Sequence, residues 1–308
     1  MEHVDRHPLP LHARVAASSG VGARGAQRIG LAGVLGGRGQ RMRPATAPGA
    51  AVARAWRWDL CDRWSRRWWP QGVALGEVGG LPVALVSWFA QGGRGSRVSV
   101  VELRDPDRAR YRHVELVAVG RDGALEPVVI HAGGIAWMPG TDRLYAAATF
   151  GGIREFRLDD LTRIGRRLVL PQHAEFAASG RHEERLRYSF VSAAGDGGLV
   201  AGEYRTDTGG RIARLRVDDE RAEVVEAFVP GIPSMQGVAL RDGVWAISAS
   251  RGDREPGDLW LGPRDALVRH PGALPPGPED LALDAAGRLW NVSEFPGRRW
   301  LYELGRVE

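Results

Sequence analysis

From residue 68 onward the chain alternates short apolar runs with Gly- and Asp-rich turns, and the alternation repeats. Five segments align as the same strand of a recurring unit: "LPVALVSWF" (81–89), "RLYAAATF" (143–150), "GLVAGEYR" (198–205), "GVWAISAS" (243–250) and "GRLWNVSEF" (287–295). Their matching positions, Val83, Leu144, Leu199, Val244 and Leu289, lie 61, 55, 45 and 45 residues apart. Each follows a hairpin-type turn ("GEVGG", "MPGTD", "AGDGG", "RDG", "DAAG"), and each turn follows a shorter apolar strand ("GVALG", "GIAWM", "SFVSA", "GVALR", "DLALD"). A third strand comes next, as in "RVSVVEL" and "RWLYEL", and often a fourth, as in "RHVELVAV". No 3.6-residue periodicity intervenes to supply helical crossovers. Four strands in a repeat of this length predict an all-β fold, a β-propeller with five visible four-stranded blades. A sixth, divergent unit could lie in 104–130 or 165–187. The last unit runs out at "LGRVE", so "AVARAWRWDL" (51–60) is the candidate strand to close the ring and remove an open sheet edge.

Residues 1–53 look different. They mix Gly, Ala, Arg and Pro with few large apolar side chains, a composition that buries too little surface to offset ordering entropy. The expectation is a disordered tail over 1–53 and a propeller domain over 54–308. Within the tail, "RIGLAGVLGG" (28–37) followed by "ATAPGAAVA" (45–53) imitates the order of an export signal, although Arg38, Arg41 and Arg43 interrupt it.

Charge adds a constraint. All 42 basic residues are Arg, which excludes lysine Schiff-base chemistry and Walker-type phosphate loops. Residues 1–67 hold 12 Arg against four acids, and the remainder holds 30 Arg against 33 acids. The basic excess therefore belongs to the leader, and the propeller body carries no net charge that would argue for nucleic acid. No run of 18 apolar residues exists to span a membrane as a helix. Cys61, the single cysteine, has no partner for a disulfide and reads as a buried structural thiol.

Candidate chemistry follows from the repeat. The first residue of each inner strand faces the central channel, and there the chain places Gln71, His131, Tyr188 or Ser189, Gln236 and Glu279. The second strands end toward the same face at Trp88, Thr149, Glu203, Ser250 and Glu294. Such a funnel is concave with a few convergent polar groups, and Trp68, Trp69 and Pro70 would wall it beside Gln71. One reading is a binding surface for a small molecule, glycan or protein, with Gln71, His131, Tyr188, Gln236, Glu279, Trp69 and Trp88 as contacts. The other is a metal centre: Glu203, Glu279 and Glu294, with Asn291 and Gln236, offer oxygen ligands for Ca²⁺ or Mg²⁺. His131 would then serve as general base for a metal-assisted lactone or ester hydrolase.

At "GPEDLALDAAGRLWNVSEF" (277–295) and "HAGGIAWMPGTDRLYAAATFGGIREFRL" (131–158) the chain resembles the gluconolactonase and strictosidine-synthase-like propellers. "RWWPQGVALG", "HAGGIAW" and "SMQGVAL" are similar to uncharacterised, often secreted, propeller proteins of high-GC bacteria, a likeness spanning about 61–304. The resemblance implies a propeller and export. It also implies an axial divalent cation held by Glu, Asn and Asp, with Glu279 at the matching entry. Gln71 stands where that pattern has a carboxylate, and "PED" replaces its "PNG".

Overall fold

The structure, a computed structural model, describes residues 21–22, 25–178 and 185–305, together with the backbone of 10–15. Five four-stranded antiparallel blades follow one another around an axis. Blade 1 is Trp68–Val78, Leu81–Ala90, Ser96–Glu102 and Arg110–Val119; blade 2 is Ile135–Trp137, Arg143–Ala148, Gly152–Arg157 and Arg167–Ala178. Blade 3 is Phe190–Ala193, Leu199–Gly202, Ile212–Val217 and Arg221–Phe228, and blade 4 is Met235–Arg241, Val244–Ala249, Gly257–Gly262 and Val268–Leu274. Blade 5 takes Pro278–Leu283, Leu289–Ser293 and Trp300–Leu304 from the C-terminal end and Val52–Arg57 as its fourth strand. Inner strands contact their neighbours all the way round, blade 5 meeting blade 1. The described residues of 104–130 and 165–187 supply the outer strands of blades 1 and 2, and no sixth blade is found among them.

Closure rests on aromatic packing. Trp56 of the closing strand stacks on Trp290 of blade 5 at 5.4 Å and 6°, and Trp58 meets Trp88 and Tyr111 edge-on at 4.7 and 4.8 Å. These rings join Val73, Val86 and Val292 in one buried cluster between blades 1 and 5.

The segment expected as a tail is built into the fold from Gly25 on. Its short strands Ala26–Arg28 and Gln40–Arg41 pair with 162–164 and with the start of the outer strand of blade 1. Leu31 and Val34 are buried between blades 1 and 2, and Met42 between blades 1 and 5. A boundary between 53 and 54 would cut the closing strand. Sparse apolar residues suffice because the groove between blades is already apolar and the backbone is paired. The run 28–37 that imitates an export signal is part of this packing. Cys61 also departs from expectation: it is exposed on the short helix Leu60–Arg63, and its neighbour Asp62 is the buried residue.

Inner strands approach one another at glycine. A Cβ on Gly134 would lie 2.4 Å from the Val191 nitrogen, and one on Gly237 would lie 2.5 Å from the Asp280 Cα. Neighbouring blades therefore touch backbone to backbone near the axis, where any side chain would hold them apart.

Candidate functional site

The loops that enter inner strands, and those that join second to third strands, gather at one end of the channel. Backbone hydrogen bonds tie this collar together: Gln91 to Arg67, Phe150 to Arg187, Ser234 to Arg205, Ser250 to Ser234, Gly277 to Gly252 and Gly297 to Arg63. Among the described residues, four of the five non-glycine residues with positive φ lie in it, at Ala132, Phe150, Tyr188 and Ser234. Backbone in the left-handed region is strained for such residues and persists only where its surroundings hold it.

At the floor of the collar stand two carboxyl groups in hydrogen-bond contact. Burial, then the charges of Glu294 and Asp280, push the Glu279 carboxyl well above the usual range. Burial also raises Glu294, while hydrogen bonds from Gln71 and Glu279 hold it back. Glu279 therefore carries the proton and donates it to the Glu294 carboxylate, since like charges so close cannot both ionise. Gln71 Nε2 donates to Glu294 Oε2 at 3.0 Å, and Gln236 Nε2 to Glu279 Oε1 at 3.4 Å. Asn291 fixes the backbone of Glu279 from both sides: its Nδ2 donates to the Glu279 carbonyl at 2.8 Å, and its Oδ1 accepts from the Glu279 N–H at 3.2 Å and from Tyr302 Oη at 2.8 Å.

Directly behind the pair lies Asp280, which the repeat alignment passed over because it reads as the second residue of an apolar strand. It is fully buried, and Oδ2 accepts the N–H groups of Val73 at 3.3 Å and Ile135 at 3.1 Å, joining the inner strands of three blades. Oδ1 has no partner, and burial drives this carboxyl well above its ordinary pKa.

Trp69 forms part of the mouth wall. It meets Phe295 edge-on at 5.8 Å, with the Arg299 guanidinium 5.4 Å from its ring. Phe89 and His131 pack at 4.3 Å on another side, and the exposed Phe150 lies under Arg187. The doubled tryptophan thus splits its duties, because Trp68 turns outward and stacks on Arg97 at 4.3 Å.

Several expected members stand elsewhere. Trp88 is fully buried between blades, its Nε1 donating to Ser99 Oγ at 2.8 Å, so it is not a mouth contact. Tyr188 is buried as well, which raises its pKa and withdraws it from the surface. Glu203 does not join Glu279 and Glu294 as a third ligand. Arg211 holds both of its oxygens at 2.8 and 3.0 Å, and the N–H groups of Arg187 and Arg211 complete its shell. Burial alone would raise its pKa, but Arg211 outweighs that and keeps it below the usual value. Among the described residues no three His, Cys, Asp or Glu side chains are grouped to hold a metal ion. His131 has no carboxylate to orient its imidazole among the described residues.

A Ser–His–Asp sequence of contacts does exist, away from the mouth. Ser99 Oγ lies 2.9 Å from His113 Nδ1, and His113 Nε2 lies 2.9 Å from Asp62 Oδ2. Burial lowers the His113 pKa, which leaves it neutral, accepting from Ser99 and donating to Asp62. Ser99 is fully buried and accepts from Trp88, so the relay is structural.

The opposite end of the channel holds a cavity of about 1110 Å³, lined by the far halves of the inner strands and by Ile29–Ala32. Its walls are small side chains such as Ala74, Ala136 and Ala194. On its rim Asp142, Arg241 and Asp284 are each held by a neighbouring charge. Size favours this end; convergent, unsatisfied chemistry favours the collar.

No protein-family model matches the chain, and no curated protein is significantly similar to it. Among solved structures, a gluconolactonase from Xanthomonas campestris shares 15% identity over 87% of this chain and 88% of its own, with a TM-score of 0.46. A GH43_1 enzyme from Xanthomonas citri shares 14% identity over 79% and 88%, with a TM-score of 0.43. A putative glucose dehydrogenase from Thermus thermophilus shares 14% over 86% and 100%, with a TM-score of 0.42. Likenesses at this level carry no argument about activity. Among the described residues no helix is long and apolar enough to cross a membrane.

Proposed function

We propose that the protein binds a small hydroxylated molecule, a sugar or short glycan, at the collar without transforming it. The observation that carries this reading is the contact between the Glu279 and Glu294 carboxyl groups at the floor, with the Gln71 and Gln236 amides donating to them from either side. A protonated carboxyl, a carboxylate and two primary amides mix donors with acceptors, as hydroxyl groups require. Trp69, Phe295 and Phe89 add apolar edges for the carbon face of a ring. Hydrolysis of a glycosidic bond uses two carboxyls at about 5–9.5 Å, so that substrate and water fit between them. Carboxyls in direct hydrogen bond leave no such room. A metal-assisted lactonase would need free carboxylate oxygens, and Glu203 has given both of its own to Arg211.

Calorimetry of the full chain with neutral mono- and trisaccharides tests the reading, beside the Glu294→Gln variant and a turnover assay on aryl glycosides and lactones. Binding that weakens at least tenfold in Glu294→Gln, with no turnover, supports it. Turnover that depends on added Ca²⁺ or Mg²⁺ overturns it in favour of the hydrolase.

A further inference from the structure

The two ends of the propeller carry opposite charge, which the near-neutral body composition conceals. Among the described residues the collar loops 58–67, 91–95, 120–134, 185–189, 203–211, 250–256 and 294–299 hold thirteen Arg against nine acids, and the other collar loops hold no Arg, Asp or Glu. The turns at the far end, 103–109, 138–142, 158–161, 165–166, 194–198, 218–220, 242–243, 263–267 and 284–288, hold twelve acids against five Arg, with four more Arg arriving from 26–45. Folding has segregated charges that are interspersed along the chain.

Many collar arginines are not neutralised. Among the described residues Arg66, Arg67, Arg94, Arg187, Arg254 and Arg298 have no carboxylate within salt-bridge distance, whereas Arg205, Arg211 and Arg251 do. Deeper, the guanidinium of Arg299 lies by the Trp69 ring, fully buried. Its Nε donates to the Glu294 carbonyl and its Nη1 to the Asp62 carbonyl at 2.6 Å, while Nη2 has no partner. A buried cation with an unused donor beside the floor, ringed by guanidinium groups that have no carboxylate partner among the described residues, is built to receive negative charge.

We propose that the ligand of the collar is an anionic sugar, with hydroxyls on the carboxyl pair and a carboxylate, sulfate or phosphate against the arginines. This rests on the hydroxyl-binding reading of the floor. A wholly polyanionic partner such as nucleic acid fits less well, because Glu294 would face its phosphates at the centre of the site.

The test is calorimetry of the full chain at 25 and 150 mM salt. The probes are trigalacturonate, a sulfated disaccharide, glucose 6-phosphate, neutral xylotriose and a single-stranded DNA oligonucleotide. Arg94→Gln/Arg254→Gln, two exposed positions, is the collar variant, and Glu294→Gln the floor variant. The inference predicts that at least one acidic sugar binds tenfold or more tightly than xylotriose. That advantage should shrink at the higher salt and fall at least threefold in the collar variant, while neutral binding stays unchanged. The three acidic probes decide which anionic group is read. Equal affinity for acidic and neutral sugars overturns the charge inference and leaves the hydroxyl site standing. Binding of no sugar at all, or loss of none of it in Glu294→Gln, overturns both. DNA binding tighter than every sugar overturns the choice of ligand.

Discussion

Asp62 is the residue whose loss should cost the fold most among its polar groups. Its Oδ1 accepts from Arg97 Nη2 at 2.6 Å, and its Oδ2 from Tyr111 Oη at 2.5 Å, from His113 Nε2 at 2.9 Å and from Gln40 at 3.4 Å. Its carbonyl holds Arg299. Through these bonds the linker between the closing strand and blade 1 is pinned to the outer strands of blade 1. Only 7% of the Asp62 side chain and 11% of the Arg97 side chain are exposed. In Asp62→Asn the shape survives but Arg97, buried against Trp68 and Trp88 with Nε already lacking a partner, loses its counter-charge. Breaking a buried pair on one side costs about 3–5 kcal/mol. The amide still accepts one bond, so the lower half of that range is expected, a sizeable share of a typical domain's ~5–15 kcal/mol. Equilibrium urea unfolding, followed by fluorescence and far-UV circular dichroism, measures it as a fall in midpoint at constant slope. Asp62→Asn/Arg97→Met should cost less than the sum of the single changes. The pH dependence has a definite sign. Burial would raise the Asp62 pKa, but His113, Arg97 and Tyr111 outweigh it and set it far below 3.8. Its stabilisation is therefore fully present above the unfolded value and is lost only as pH falls through the native one. The cost of Asp62→Asn should be constant above pH ~5 and shrink below ~4. A cost under about 1 kcal/mol at neutral pH, or one that grows on acidification, would refute the argument.

Further expectations concern the floor, the axis and the leader. Because the native pKa of Glu279 is raised, its contribution to stability is full below about 4.5 and declines as pH rises. Glu279→Gln should flatten the fall in melting temperature between pH 4.5 and 8, and an unchanged slope would argue against a shared proton. Gly134→Ala drives a Cβ into the Val191 backbone and should cost about 3 kcal/mol or more by overpacking. Gly79→Ala, at a turn with φ 57° and open space, should cost about 1 kcal/mol by chemical denaturation. Leu31→Ala should destabilise by about 2–5 kcal/mol, as a core leucine does; a value within ~0.5 kcal/mol of zero would return 25–53 to the status of a tail.

Period-two alternation and turn chemistry were enough to read the propeller, its five units and the strand that closes it, because each blade repeats one local pattern. The strand ends also marked Gln71, Gln236, Glu279 and Glu294 as neighbours. What local pattern does not encode is which side chains meet once the ring closes. Trp88 and Tyr188 sit at the same repeat position as mouth residues yet point into blade interfaces, since strand side chains alternate and inner edges bend. Glu203 looks like a third ligand until Arg211, eight residues on, takes both its oxygens across a hairpin loop. Asp280 is hidden in an apolar strand, and its partners Val73 and Ile135 are 207 and 145 residues away. Leu31, Val34 and Met42 look too sparse to order a segment, but a groove between blades that only the folded ring presents receives them. The charge polarity of the two ends is likewise a property of the ring, which sorts alternating loops of one chain onto opposite faces.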